Sequence, residues 1–370
     1  MAEQLKVGIV GAAGRGGSFR AGFEASDAAR IHAVCDVDEE SLAEAAERMG
    51  AEETFVDYEE MLEKGGVDVV VIGTPMQFHA PMAIAALDRG IHVMSEVTAA
   101  VSVDECKALV ASAERSDAVY MMAENYIYTK HTVLVTELVR RGLFGEVYYA
   151  EGEYVHELKD LNERTTWRRK WQTGIDGITY GTHSLGPILA WMAGDRVTRV
   201  CCEGSGHHYL DPRGDAYENQ DSCVMLAKTE KGALIKIRVD MLSERPHAMN
   251  SHVLQGTKGC YESSRARGEM HRVWLMDLCE NKNEWKDLSD LEEEYLPEMW
   301  RRPSDSALKA GHGGGDYFEI VDFMSAIVNG TPCPIGIHEA MDMTLPGLVS
   351  QESIANGGAW MEVPDSRDWV

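Results

Sequence analysis

A glycine-rich turn directly after the first apolar segment has the spacing of a dinucleotide-binding loop. In the segment GAAGRGG, Gly11 and Gly16 occupy the first and third positions of that fingerprint. Ala13 occupies the second position, and Gly14 follows it. Small residues let the chain turn tightly and let the backbone approach a pyrophosphate. We therefore predict that this loop, with Arg15, binds a dinucleotide, although a tight turn without a ligand would use the same glycines.

An acidic residue stands where such a site needs one. Asp36 closes the second predicted strand, 25 residues after Gly11. A carboxylate at this place accepts hydrogen bonds from both hydroxyls of the adenosine ribose, and it repels a 2′-phosphate. An ordinary strand-end aspartate is the alternative. Together with the glycine loop, Asp36 predicts NAD rather than NADP as the cofactor.

The elements that must position this site alternate between strands and helices over residues 1–125. Largely apolar runs of five to seven residues are separated by stretches with helical periodicity, one of which ends at Gly50. The predicted strands are Lys6–Val10, Ile31–Asp36, Val67–Gly73, His92–Glu96 and Ala118–Glu124. Strands joined through helices at this spacing form a parallel sheet with helices on both faces. The predicted class is α/β, with an N-terminal Rossmann domain.

Residues 126–370 have a different pattern, which predicts a second domain. A helix is followed by several alternating segments with strand character, and Thr229–Gly232 is predicted to be the turn of a hairpin. Runs of strands joined by turns are typical of an α+β domain with a large, mostly antiparallel, open sheet. Near the end, an amphipathic helix is predicted from Asp316, as its N-cap, to Gly330.

Composition excludes several classes of protein. Acidic residues outnumber basic ones by 61 to 35, and a net charge of −26 repels nucleic acids and anionic lipid surfaces. No apolar run is long enough to span a membrane, and no secretion leader is recognised, so we expect a cytoplasmic protein.

The eight cysteines contain no CxxC pair, and adjacent His207 and His208 point apart in a strand. We predict no metal site.

Short motifs in the first domain resemble those of the Gfo/Idh/MocA oxidoreductases, which are two-domain, NAD(P)-dependent and mostly sugar-active enzymes. The matching runs are TPMQFH, SEV and AEN, and the likeness extends over nearly the whole chain. The resemblance implies that Thr74, Pro75 and His79 line the cofactor. It also implies that Glu96 and Asn125 lie near the nicotinamide.

Two departures from that superfamily point to one of its branches. Its ordinary dehydrogenases have Glu-Lys-Pro where this chain has Glu96-Val97-Thr98, so the lysine that assists proton transfer is missing. Thr179 stands where they have an aspartate. The runs HAPMA, SEVTAA, MMAENYIY, TWRRK, YGTHSLGP and GHGGGDY resemble the NAD-dependent glycosidases of glycoside hydrolase family 109. That branch uses a Tyr-x-x-His pair, which corresponds to Tyr180 and His183.

The resemblance implies a glycosidase that works without a pair of catalytic carboxylates. Carbon 3 of the sugar is oxidised, the proton on carbon 2 is removed, the leaving group departs from carbon 1, water adds, and carbon 3 is reduced again. Histidine titrates near neutral pH, which suits His183 for proton exchange. Tyr180 needs a neighbouring cation or hydrogen bond to act as a base. Tyr154 and His156, two residues apart on one strand face, are predicted to assist, and which group serves which carbon stays open.

Four further residues are predicted to contact the substrate. Trp167 and Arg168 combine a ring that stacks on sugars with a guanidinium that binds hydroxyls or anions, or else they begin a basic surface helix. His312 precedes a glycine run that resembles a loop near the site in family 109, or else belongs to a flexible loop. Glu124, within MMAENYIY, is assigned by the resemblance.

Three functions remain open from the sequence. The first is hydrolysis of a small glycoside with NAD as cofactor, and the second is a conventional NAD-dependent sugar or cyclitol dehydrogenase. The third is a non-catalytic nucleotide sensor, against which the Tyr-x-x-His pair argues. The resemblance also implies a homo-oligomer, either a dimer or a tetramer.

Overall fold

A computed structural model of the chain describes residues 4–246 and 249–369. These residues divide into two compact units. The first unit contains the described residues up to Thr129, residues 303–341 and the residues from Ser366 onward. The second unit contains Lys130–Arg302 and Asp342–Asp365. The sequence predicts one boundary, after residue 125, and no later segment in the first domain.

The strands of the described residues form two sheets. In chain order they are β1 (Leu5–Val10), β2 (Ala29–Cys35), β3 (Glu53–Phe55), β4 (Val69–Ile72), β5 (His92–Glu96), β6 (Tyr120–Ala123), β7 (Val147–Val155), β8 (Val197–Gly204), β9 (Cys223–Thr229), β10 (Leu234–Asp240), β11 (Met249–Gly256), β12 (Gly259–Glu262), β13 (Arg272–Leu275), β14 (Lys286–Asp287) and β15 (Met361–Glu362). The five strands predicted for the first domain are all present, whereas the short β3 was not predicted because it lacks an apolar run.

The helices connect these strands and cover their faces. In chain order they are α1 (Arg20–Glu24), α2 (Glu39–Met49), α3 (Tyr58–Lys64), α4 (His79–Leu87), α5 (Val103–Arg115), α6 (Lys130–Arg140), α7 (Lys159–Arg164), α8 (Thr166–Trp171), α9 (Thr182–Trp191), α10 (Glu292–Tyr295), α11 (Glu298–Arg301), α12 (Asp305–Lys309), α13 (Gly315–Asn329) and α14 (Ile337–Ala355). Within residues 4–246 and 249–369, none of them has both the length and the apolarity that crossing a bilayer requires.

The first unit has a Rossmann sheet. Its strands, counted over the described residues, lie in the order β3-β2-β1-β4-β5-β6, and every neighbouring pair is parallel. Asp38 caps α2 through the N–H groups of Glu40 and Ser41, and Gly50 ends that helix in the left-handed region. The chain reverses its direction of strand addition between β1 and β4. In open parallel sheets, ligands bind beyond the carboxyl ends of the strands at such a point.

Helix α13 begins differently from the prediction. Its N-cap is Gly314, with φ 100°, and Asp316 lies in the first turn of the helix. The prediction of Asp316 as the N-cap is therefore wrong, because its carboxylate bonds to side chains outside the helix rather than to the helix N–H groups. The predicted end is confirmed, since Gly330 is the left-handed C-cap.

The second unit is built on a larger sheet. Among the described residues its strand order is β14-β13-β12-β11-β7-β10-β9-β8-β15. Only β7 and β10 pair in parallel in this set, and the other pairs are antiparallel. The hairpin predicted at Thr229–Gly232 joins β9 to β10, with Gly232 at φ 94°. The predicted fold, a Rossmann domain with a mostly antiparallel α+β domain, is confirmed.

Candidate active site

The glycine loop after β1 is close-packed against its neighbours. Gly11 has φ 71°, and a Cβ there would lie 2.6 Å from the carbonyl oxygen of Gly73. At Gly16 a Cβ would lie 2.6 Å from the carbonyl oxygen of Val10. At Gly14, by contrast, a Cβ would meet only the Gly11 oxygen, at 3.7 Å. Both ends of the loop therefore require glycine, and the backbone at Gly14 leaves room for a ligand to approach.

Asp36 is in place beside this loop. Its carboxylate accepts hydrogen bonds from the backbone N–H groups of Ala13, at 3.0 Å, and Asp38, at 3.3 Å. The next side chain, Val37, is 88% exposed. An exposed apolar surface beside an acid at the end of β2 suits the face of a flat base. No role was predicted for Val37, although an apolar residue within an otherwise polar turn was an available signal.

His79 holds two turns of the first unit together. Its ring is almost fully buried, with Nε2 2.8 Å from the Thr74 carbonyl and Nδ1 2.8 Å from the Thr98 carbonyl. Burial lowers the pKa of this imidazole. The structure therefore gives His79 a part in positioning the turns at Thr74–Pro75 and at Thr98. Contact between its side chain and a cofactor stays a prediction.

Four predicted site residues of the first unit meet around Asp316. Its carboxylate accepts two hydrogen bonds from Arg15, at 2.7 and 3.1 Å, and one from the side-chain amide of Asn125, at 3.4 Å. His312 Nδ1 lies 2.9 Å from Oδ1. Arg15 also donates to Glu96, at 2.5 Å. Asp316 itself was predicted only as a helix cap and not as a functional residue.

Two buried carboxyl groups complete this part of the first unit. Glu124 is fully buried, and its Oε1 accepts a hydrogen bond from the N–H of Tyr126 at 3.2 Å. Glu319 is also fully buried, and neither of its oxygens has a hydrogen-bond partner among the described residues. Burial raises the pKa of Glu319 well above the usual range, and the charge of Asp316 raises it further. Glu319 therefore keeps its proton to a higher pH than an exposed glutamate does.

The second unit brings together the predicted proton-transfer residues. The rings of Tyr180 and His183 are 5.3 Å apart, and the Tyr154 ring lies 5.7 Å from Tyr180 and 5.3 Å from His183. The Tyr154 hydroxyl is 2.9 Å from Nδ1 of His156. Tyr154 and His183 are buried, whereas Tyr180 and His156 are partly exposed. These four side chains therefore form one cluster with both a buried and an exposed part.

A glycine on β7 allows this cluster to form. Tyr154 lies on β7, and His183 lies in the first turn of α9. At Gly152, two residues before Tyr154 and on the same strand face, a Cβ would lie only 2.3 Å from the carbonyl oxygen of Ser184. The absence of a side chain at Gly152 thus lets α9 approach the sheet closely enough for the rings to touch.

The loop that leads to Tyr180 is held by residues that the sequence analysis missed. Asn219 is buried, and its side-chain amide donates to the carbonyls of Ile175, at 2.8 Å, and Gly177, at 3.3 Å. On the other side, Ser350 accepts from the N–H of Ile178 at 2.8 Å. Neither residue stands out in the sequence, because its role depends on which carbonyls the fold brings near it.

Trp167 and Arg168 form a stacked pair in α8. The guanidinium carbon of Arg168 lies 4.5 Å from the centre of the Trp167 ring, and its NH1 donates to Gln172 at 2.7 Å. The buried Nε of Arg168 has no hydrogen-bond partner among the described residues. The neighbouring Arg169 binds Asp211 and Glu218 instead. Arg168 therefore keeps one hydrogen-bond donor without a partner among the described residues, whereas Arg169 is already paired with two carboxylates.

One of the two adjacent histidines of the second unit contacts a carboxylate. His208 Nδ1 is 2.5 Å from Asp221. Within residues 4–246 and 249–369, no group of three or more His, Cys, Asp or Glu side chains is arranged to hold a metal ion.

Two family models together match nearly the whole chain. Residues 5–124 match the oxidoreductase family with an NAD-binding Rossmann fold. Residues 128–368 match the C-terminal domain of glycosyl hydrolase 109. The first unit is therefore an NAD-binding domain, and the glycine loop at the point where strand order reverses fits that cofactor.

Curated relatives agree with the family models. A glycosyl hydrolase family 109 protein from Saccharopolyspora erythraea is 31% identical, covering 98% of this chain and 83% of the relative. An alpha-N-acetylgalactosaminidase from Shewanella oneidensis is 29% identical, covering 98% and 85%. A levoglucosan dehydrogenase solved with NADH and levoglucosan has the same fold, with a TM-score of 0.84, 22% identity and coverage of 98% and 100%. The chain belongs to the glycosyl hydrolase 109 family.

Proposed function

We propose that the protein is an NAD-dependent glycoside hydrolase that acts on a small glycoside. The observation that carries this proposal is the cluster of Tyr154, Tyr180 and His183, whose rings lie within 5.7 Å of each other. The run Glu96-Val97-Thr98 supports it further, because valine cannot take the place of a dehydrogenase lysine in proton transfer.

The cofactor would be held by residues at the carboxyl edge of the Rossmann sheet. The loop from Gly11 to Gly16 would bind the pyrophosphate through backbone N–H groups, and Asp36 would bind the adenosine ribose. The negative charge of Asp36 favours NAD over NADP. When bound, NAD supplies reversible hydride chemistry at carbon 3 of the sugar, which makes the proton on carbon 2 acidic.

The residues of the second unit would move the protons. We assign Tyr180 and His183 to the proton on carbon 2 and to the hydroxyl on carbon 3, because both can donate and accept protons. The buried Tyr154 hydroxyl contacts His156, which is partly exposed and can exchange its proton with solvent. That pair would reset the protonation of the cluster after each turnover.

Substrate contacts are proposed for four residues. The ring of Trp167 offers a stacking face, and the guanidinium of Arg168 offers donors to hydroxyls or an anionic group. Glu124 and His312 keep the substrate roles that family resemblance implies. The name of the Shewanella oneidensis relative makes aryl α-N-acetylgalactosaminides the first substrates to test.

The test is an assay of the purified holoenzyme with 4-nitrophenyl glycosides in heavy water, without added cofactor. Hydrolysis through carbon 3 oxidation predicts nitrophenol release, deuterium at carbon 2 of the sugar and no net NADH. Release of nitrophenol without deuterium at carbon 2 would contradict the mechanism. Bound NAD without any turnover of sugars would favour the sensor function.

A matched pair of variants tests the tyrosine assignment. Tyr180→Phe keeps the ring in the cluster and removes only the hydroxyl, so we expect turnover to fall by about a hundredfold or more. Tyr148→Phe is the control, since Tyr148 is 49% exposed on β7 and does not belong to the cluster. Equal activity of the two variants would contradict a chemical role for Tyr180.

A sugar dehydrogenase is the second candidate function. The similarity of the fold to a levoglucosan dehydrogenase favours it. That activity predicts stoichiometric NADH from a free sugar and no nitrophenol from the aryl glycosides. The same incubation therefore distinguishes the two enzymes.

We also propose a cytoplasmic homo-oligomer. The second unit supports self-association. In β9 and β10, buried residues largely alternate with partly or fully exposed ones, so one face of these strands is accessible, and Val224 on that face of β9 is 36% exposed. Such a half-apolar sheet face is suited to pairing with a second copy. Light scattering of the purified protein would distinguish a dimer or tetramer from a monomer.

A further inference from the structure

A single buried carboxylate connects the glycine loop to two distant segments of the first unit. Asp316 is 1% exposed, and its two oxygens accept from both terminal nitrogens of Arg15, at 2.7 and 3.1 Å. The same carboxylate accepts from Asn125, just after β6, and contacts His312 in the turn before α13. A substitution at Asp316 therefore reaches the loop through Arg15, which lies about 300 residues away in the sequence.

Arg15 is held on its other sides as well. Its Nε donates to Glu96 at the end of β5, and its NH1 contacts Ser18 at 2.5 Å. The guanidinium carbon lies 4.5 Å from the centre of the buried Phe19 ring. Arg15 directly follows Gly14 in the loop, so a fixed Arg15 side chain also restrains the loop backbone.

We propose that Asp316 is a positioning residue that, through Arg15, holds the glycine loop in its cofactor-binding conformation and thereby slows the release of NAD. Paired hydrogen bonds between a guanidinium and a carboxylate fix the relative position of the two groups more strongly than a single contact. Without this restraint, the glycine-rich loop has many accessible backbone conformations.

Slow release of NAD suits hydrolysis by transient oxidation of the sugar. In this respect the inference rests on the proposed function. A hydrolase that regenerates its oxidised cofactor in every cycle gains nothing from exchanging it. A dehydrogenase must exchange the cofactor after each turnover. A restrained loop that keeps NAD bound between turnovers therefore suits the hydrolytic cycle.

The experiment measures NAD release directly and in the absence of any sugar. Holoenzyme carrying radiolabelled NAD is mixed with an excess of unlabelled NAD, and the label that remains bound is followed by rapid gel filtration. We expect Asp316→Asn and Arg15→Lys each to release NAD about tenfold faster or more, since lysine cannot make the paired contact. The control is Asp305→Asn, which changes an exposed acid in the first turn of α12.

A double variant separates positioning from independent roles. If Asp316 acts through Arg15, the double variant releases NAD no faster than the faster single variant. The proposal would be overturned if the effects of the two substitutions on the release rate multiply in the double variant. Release of NAD from Asp316→Asn at the wild-type rate would also overturn it. The result is independent of glycosidase activity, so a failure of this inference and a failure of the proposed function are distinguishable.

Discussion

Replacement of Glu319 by glutamine should stabilise the protein at neutral pH, although it removes a native side chain. Glu319 is fully buried, and burial with the nearby Asp316 charge raises its pKa well above the usual range. The folded protein therefore keeps this carboxyl group protonated at a pH where the unfolded chain ionises it. Glutamine has nearly the same shape and stays neutral in both states.

The pH dependence of unfolding follows from that difference. The stability contributed by neutral Glu319 is fully present below the unfolded pKa of about 4.3 and is lost as pH rises toward the folded pKa. In this window the wild type loses about 1.4 kcal/mol of unfolding free energy per pH unit at this one group. Glu319→Gln abolishes the loss, so its advantage should grow between about pH 5.5 and about pH 7.5, by up to about 1.4 kcal/mol per pH unit while the pH stays below the folded pKa.

The assay is chemical denaturation of both proteins at several pH values in this range, followed by tryptophan fluorescence at a fixed, saturating NAD concentration. Any cost of burying the glutamine amide is independent of pH, so the change of the difference with pH isolates the ionisation. Glu44→Gln, at an exposed position of α2, is the matched control and should show no growing advantage. A Glu319→Gln difference that stays constant across the range would refute the reasoning.

Three further outcomes are expected. His183→Ala should lower turnover by about a hundredfold or more while the protein still retains NAD, and unchanged turnover would remove His183 from the chemistry. Gly152→Ala should lower the free energy of unfolding by about 1–3 kcal/mol, because the new methyl group meets the Ser184 carbonyl. Thermal unfolding of the variant and the wild type measures this difference in stability. Burial and the nearby His271 lower the pKa of His131 well below its usual value, so its contribution to stability is full above about pH 6.5 and declines as the pH falls. Chemical denaturation at about pH 7.5 and about pH 5.5 measures the free energy of unfolding at each pH. From the higher to the lower pH, this free energy should fall less for His131→Gln than for the wild type, and equal falls would contradict this assignment.

The local structure of the first unit was predictable because it depends on neighbouring residues. Continuous apolar runs identified five buried strands, and β5 has the predicted bounds. Gly50 and Gly330 end their helices as predicted, since a left-handed C-cap favours glycine. The strand β3 escaped prediction because three half-exposed residues carry no periodic signal. The start of α13 was placed wrongly because the acidic residue at its beginning bonds elsewhere.

The identities of many site residues followed from the sequence, but their partners did not. Tyr180 and His183 were identified by a motif, and their closeness in the sequence, on either side of the start of α9, explains part of their contact. Tyr154 reaches them only because Gly152 admits α9 against β7. Asn219 supports the loop before Tyr180 through carbonyls that no sequence pattern marks.

The sequence by itself determined the succession of strands and helices, the glycine loop with its acid, and the chemical types available for proton transfer. These properties depend on backbone preferences and side-chain chemistry within short segments. Only the tertiary structure decided that Asp316 binds Arg15 and that Glu319 is buried without a hydrogen-bond partner among the described residues. Both depend on contacts between segments about 300 residues apart, and the cost of burying a charge is set by all the groups around it rather than by its neighbours in the chain.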